Sequence, residues 1–151
     1  MDANDPKSRF FARTMHTPDT PERAELRLGL RAVSRALIPL HRALIEAAKA
    51  EYAVDHAPVA QPTRLLQLLQ EDPFFAWLKP MTALIVDIDE MARADFDAED
   101  IAAINARVDR LFGPVADAIF AERYVPVLQR DVDVAIGHAA VRQAASKLRP
   151  A

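Results

Sequence analysis

Two histidines, one aspartate and a ladder of arginines are the side chains of this 151-residue chain whose type and placement could do chemistry. On a helical wheel of about 100° per residue, His41 and His138 fall roughly 60° and 40° from the apolar axes of their segments, and Asp87 about 60° from its own. Two imidazoles and a carboxylate turned toward a helical interior would hold a divalent metal or relay a proton. Di-metal bundles, however, set a His or Glu three or four residues from each ligand, and here the nearest such group to His41 is Glu46, five residues on. His41, His138 and Asp87 are therefore the metal candidates, and a local hydrogen bond is the more ordinary role for each; neither a metal nor any other cofactor is expected.

The arginines have a clearer spacing. Arg23, Arg27, Arg31 and Arg35 recur every four residues, and Arg42 follows seven later. Arg27, Arg31, Arg35 and Arg42 lie roughly 100° to 180° from the apolar seam of that segment, which places them on an outward face as partner-binding candidates. Like charges at this spacing repel mildly, so an acidic partner is expected. One lies within the chain: residues 87–100 carry Asp87, Asp89, Glu90, Asp95, Asp97, Glu99 and Asp100 against Arg93 alone. That balance, with a net charge of −3 for the whole chain, favours pairing within the protein or between copies over nucleic acid.

Covalent catalysis finds little support. Without cysteine there is no thiolate, and three serines with three scattered glycines make neither a nucleophile elbow nor a phosphate-cradling loop. An acid–base step through Asp87 and a histidine rests on wheel position alone, so no catalytic residue is assigned and the chain leans away from an enzyme.

These side chains would be positioned by helices. Hydrophobic residues at 51% and charged residues at 27% belong to a globular chain of one domain. Residues 1–20, with early aspartates and no apolar period, read as a flexible lead-in rather than a targeting leader. Lys79 and Asp87 break the longest apolar runs well short of a bilayer span, so a soluble, cytoplasmic protein is expected. The absence of cysteine agrees with that compartment.

Thr20, Pro21 and Glu22 have the form of a helix start, and Leu26, Leu30, Val33, Leu37, Leu40 and Leu44 supply a heptad-like seam that runs on toward Tyr52. Pro58 and Pro62 separate this helix from a short one with Leu65, Leu66, Leu68 and Leu69. Asp72 and Pro73 then open an aromatic helix whose face is Phe74, Trp77, Met81, Leu84, Ile88 and Met91, with Phe75, Leu78 and Ile85 on a second face. Asp97 and Asp100 resemble an acidic capping box before Ile101, Ile104, Val108 and Leu111. After Gly113 and Pro114 a segment with Ile119, Phe120 and Tyr124 reads as interrupted at Pro126, and Asp131 caps a last helix with Val134, His138, Val141 and Leu148.

The whole predicts an all-α, up-and-down bundle of four long, kinked helices and one short one over residues 21–149. Pro39, Pro80 and Pro126 are the expected kinks, each depriving the carbonyl four residues earlier of its partner: those of Arg35, Ala76 and Glu122. Gly29 and Gly137 fall inside helices, where close helix contact would explain them.

The pattern Asp72, Pro73, Phe75, Ala76, Trp77, Leu78, Pro80, Leu84, Ile85, Asp89, with the later stretch from Glu122 to Val141, resembles a family of small bacterial helical proteins of unknown function. The resemblance covers roughly residues 65–141 and brings no site residues with it. The expected function is thus non-catalytic protein–protein contact, with a homodimer favoured by the two-sided aromatic helix. The alternative is a bundle that binds a small molecule or metal between kinked helices.

Overall fold

The computed structural model describes residues 19–149, and within them the chain is all-α: six α-helices and one 3₁₀ segment, with no strand. The helices are α1 (Pro21–Asp55), α2 (Pro62–Glu71), α3 (Lys79–Arg93), α4 (Ala98–Phe112), α5 (Ala118–Arg130) and α6 (Val132–Lys147). The 3₁₀ segment, Pro73–Leu78, leads directly into α3.

The axis of the fold is α1. Thr20 caps it by accepting a hydrogen bond from the Arg23 N–H, and Pro21 takes the first helical position, where the missing N–H costs nothing. Its 35 residues make a rod of about 52 Å. Leu30, Val33, Leu37, Leu40 and Leu44 of the seam are wholly buried. The seam is covered by α3 and α6, which both run antiparallel to α1. For α3 this order follows from Arg27 reaching Ala92 and Ala94, Ser34 reaching Asp89, and His41 reaching Thr82. For α6, Gly29 lies against Leu148 and Gly137 against Leu40.

The aromatic segment is not one helix. Asp72 accepts from the Phe74 N–H at 2.9 Å and Pro73 follows, but the chain then winds as a 3₁₀ helix before relaxing into α3. Three residues per turn bring Phe75 and Leu78 onto one line, and both are buried in the protein's own core. Phe75 and Leu78 of the second apolar face are thus covered within the chain, and Ile85 is half-buried. The tighter winding also moves Pro80 into the first turn of α3, where it breaks no bond, and the Lys79 N–H takes up the Ala76 carbonyl.

Pro39 and Pro126 do lie within helices, on exposed positions of α1 and α5. Contrary to the sequence expectation, α5 continues through Pro126 to Arg130. Its stop is Asp131, whose N–H bonds to Val127 while its carboxylate accepts from the Asp133 and Val134 N–H groups. One residue thus closes α5 and opens α6. At the start of α4 the reciprocal Asp97–Asp100 capping box is formed, both bonds at 2.9 Å. The count of six α-helices replaces the expected four long and one short: α5 is complete and α2 is the short one at 10 residues.

Residues 1–18 of the expected lead-in lie outside the described residues. Its last two positions are structural: Asp19 holds the Arg27 guanidinium at 2.8 and 3.0 Å, and Thr20 is the cap.

Candidate functional site

The three metal candidates are placed apart, each with a partner of its own. His41 Nε2 lies 2.9 Å from the Thr82 hydroxyl, between α1 and α3. His138 Nδ1 lies 2.7 Å from the Tyr124 hydroxyl, within an aromatic group that includes Phe112. Asp87 accepts from Arg107 at 2.7 Å, joining α3 to α4. Among the described residues no three His, Asp or Glu side chains come together in a way that would hold a metal ion. Burial lowers the pKa of both imidazoles below their ordinary range, and at His138 the Arg142 charge adds to it. Burial pushes the Tyr124 phenol well above its own, so it is a neutral hydrogen-bonding group.

The arginine ladder divides. Arg27, placed outward by the wheel, is buried: beyond its pair with Asp19 it donates to the Ala92 and Ala94 carbonyls at 2.7 Å each. Those are the open carbonyls at the C-terminal end of α3, where a cation is favoured. Hydrogen bonding to Asp19 raises the Arg27 pKa further, so the group stays charged. Arg23 pairs with Asp95, and both guanidinium groups stack over Phe96 at 5.3 and 5.1 Å. The first part of the ladder thus meets the acidic 87–100 segment inside the chain. Arg31, Arg35 and Arg42 remain exposed, with no hydrogen-bonding or ionic partner among the described residues.

A different place has the form of a binding site. A groove of about 740 Å³ opens where the 3₁₀ segment, the C-terminal turns of α4 and the first half of α5 converge. Trp77 and Phe120 make its aromatic wall, their rings 5.8 Å apart, with Leu111, Pro73 and Pro80 extending the apolar surface. Behind them Phe112 meets Phe120 edge-on at 5.9 Å and Tyr124 stacks on Phe120 at 5.0 Å, so the wall is backed by a rigid aromatic core. The volume lies in the range of small-molecule pockets, roughly 300–1,000 Å³.

Three guanidinium groups stand around this wall. Arg123 is laid over Phe74 and Trp77, 4.7 and 5.6 Å from the ring centres, and steadied by Glu51 at 3.5 Å. Arg107 gives one amino group to Asp87, which leaves further donors of its fork unused by that bond. Arg110 is exposed, and its guanidinium makes no hydrogen bond or ion pair to any described residue. Two carboxylates share the groove: Asp117 is committed to capping α5 through the Ile119 and Phe120 N–H groups, and Glu122 is exposed at the rim. The Trp77 Nε1–H is fully buried and meets no acceptor among the described residues, a cost of about 1–3 kcal/mol.

Sequence reasoning found Trp77 and passed over the rest. Arg107 and Arg110 stand three apart beside Leu111, and Arg123 stands three from Phe120, so each pair was visible as a helical neighbour pair. What no local pattern contains is that the end of α4, the start of α5 and the 3₁₀ segment meet at the same place.

Neither the protein-family models, the curated proteins nor the solved structures contain a match to this chain.

Proposed function

We propose that this helical bundle works by non-covalent binding, with the Trp77–Phe120 groove as the seat of a small organic ligand. The observation that carries this is the groove itself: a ligand-sized space over the Trp77–Phe120 floor with three arginines among its lining residues. Kinship with small bacterial helical proteins is part of the same proposal, and it brings no site residues. No described helix is long and apolar enough to cross a membrane.

The test is amide chemical-shift mapping with a library of small aromatic and aliphatic fragments. Binding fragments are expected to shift Ala76, Trp77, Leu111 and Phe120 together, and Ala76→Trp, which fills the groove from an exposed position, is expected to abolish the response. Shifts scattered over other faces, or retained in Ala76→Trp, would refute the assignment.

A second reading, contact with another copy of the chain, is favoured by the α1–α6 face. There a shallow groove of about 570 Å³ has Arg35 and Arg42 on α1, Glu46 further along it, Asp131 and Asp133 at the start of α6, and exposed Ile136. Because α1 and α6 are antiparallel, Arg35 and the acids lie toward opposite ends. A two-fold arrangement of two copies would bring unlike charges together. Sedimentation at increasing protein concentration should show a dimer that weakens with salt and is lost on Arg31→Glu with Arg35→Glu; a monomer throughout would remove this reading.

A further inference from the structure

From the same groove, and resting on its being the binding site, we infer the class of ligand: a molecule with one acidic group on a flat, apolar body, such as an aryl carboxylic acid. The apolar body is dictated by the wall. Trp77 and Phe120, only 7% and 2% exposed, are held by rings behind them and form a fixed floor, and the exposed Pro73, Ala76, Pro80 and Ile119 around it supply the apolar surface along which a planar group can lie.

The acidic group is dictated by Arg110. Its guanidinium has no partner among the described residues and shares the groove with Arg107, one helical turn away on α4. Two forks on one face of a helix beside an apolar floor match the two oxygens of a carboxylate, which accepts paired hydrogen bonds from arginine. Arg123 contributes positive charge but is already engaged by Glu51.

The limit to a single charge comes from the carboxylates. Three arginines against Asp117 and Glu122 leave the groove a formal balance of 3 − 2, one positive. Asp87 and Glu51 neutralise much of what Arg107 and Arg123 bring. A polyphosphate would meet Glu122 at the rim with more charge than the remaining guanidinium groups can offset.

The experiment uses the full chain and three probes: 1-naphthoate, its neutral analogue 1-naphthamide, and inorganic tripolyphosphate. Trp77 is the only tryptophan, so its indole N–H gives a single resonance that reports groove occupancy, and calorimetry gives the affinities. Naphthoate is expected to bind about tenfold or more tightly than naphthamide, the worth of a charge-assisted hydrogen bond. Arg110→Ala, at an exposed position, is expected to weaken naphthoate binding by about that factor and bring it level with naphthamide. Equal binding of both aryl probes, in the native chain and in Arg110→Ala alike, would overturn the acidic class and leave the groove standing. Tripolyphosphate binding as tightly as naphthoate would overturn the single-charge assignment. No response of Trp77, Leu111 or Phe120 to any fragment or probe would remove the groove reading itself, and this inference with it.

Discussion

Gly137 and Gly29 offer a paired test of how closely α6 lies on α1. A methyl group built at Gly137 would come within 3.0 Å of Leu40 Cβ and 3.2 Å of Leu40 Cα. Carbon atoms pack comfortably at about 3.5–4.0 Å, and Leu40 Cα cannot retreat unless α1 itself moves. Overpacking of this kind costs about 1–3 kcal/mol, against which alanine returns about 0.8–1.0 kcal/mol of helix propensity. Gly137→Ala should therefore destabilise the fold by up to about 2 kcal/mol. At Gly29 the close atom is Leu148 Cδ1, the tip of a flexible side chain, and the next atoms stand at 4.0 Å. The leucine tip can swing aside, so Gly29→Ala should be neutral or stabilising by up to about 1 kcal/mol. The propensity gain is common to both, so the two variants should differ by roughly 1–3 kcal/mol in urea unfolding, or about 2–12 °C in melting temperature for a chain of this size. If Gly137→Ala proved as stable as Gly29→Ala, the helix contact at Leu40 would be looser than described and the reasoning would fail.

Three further outcomes are expected. Arg27→Ala should cost about 3 kcal/mol, since it strands a carboxylate and two carbonyls in a partly closed site; Arg27→Lys should recover little, because one ammonium cannot replace the fork that spans Asp19, Ala92 and Ala94. Burial lowers the folded-state pKa of His138, with Arg142 adding to the effect, and burial also lowers that of His41, so the unfolded chain binds protons more readily. Their contribution is complete above about pH 6.5 and is lost as pH falls through the lowered folded values, so urea midpoints should drop from pH 7.5 to pH 5 and the slope should flatten in a His41→Gln, His138→Gln double variant; an unchanged slope would exclude these two groups as its source. Asp131→Ala should cost about 1 kcal/mol by removing the cap of α6, with hydrogen exchange fastest at the Asp133 and Val134 amides; equal protection in both proteins would show that the cap is dispensable.

Features governed by neighbours in sequence were legible before the structure. The Leu30 to Leu44 seam, the Thr20 start, the Asp97–Asp100 box and the Asp131 cap depend on residues within one or two turns, and spacing alone identifies them. The two helical glycines were legible too, because a residue that weakens a helix needs a compensating contact. Distance in the chain is what concealed the rest. Arg27 looks like a surface residue on any wheel, and only the arrival of α3, 65 residues later, encloses it. The 3₁₀ winding of Pro73–Leu78 keeps nearly the same apolar spacing as an α-helix over two turns, so periodicity cannot separate them. The groove is further still from local pattern, since Trp77, Arg110 and Phe120 come from three separate elements.

The junction at Asp131 has a consequence for how this protein can vary in length. With one residue serving both helices, there is no slack between α5 and α6. A single residue inserted there would turn α6 by about 100°, carrying Val134, Gly137 and Val141 away from α1 and presenting Asp133, Ile136 and Ala140 in their place, with the isoleucine where even one added carbon would crowd Leu40. The stretch from His56 to Gln61 stands in contrast: it is irregular, mostly exposed, and joins helices whose register it does not set. Additions and deletions should accumulate there and be purged at Asp131, so the chain tolerates editing at one corner and forbids it at the other.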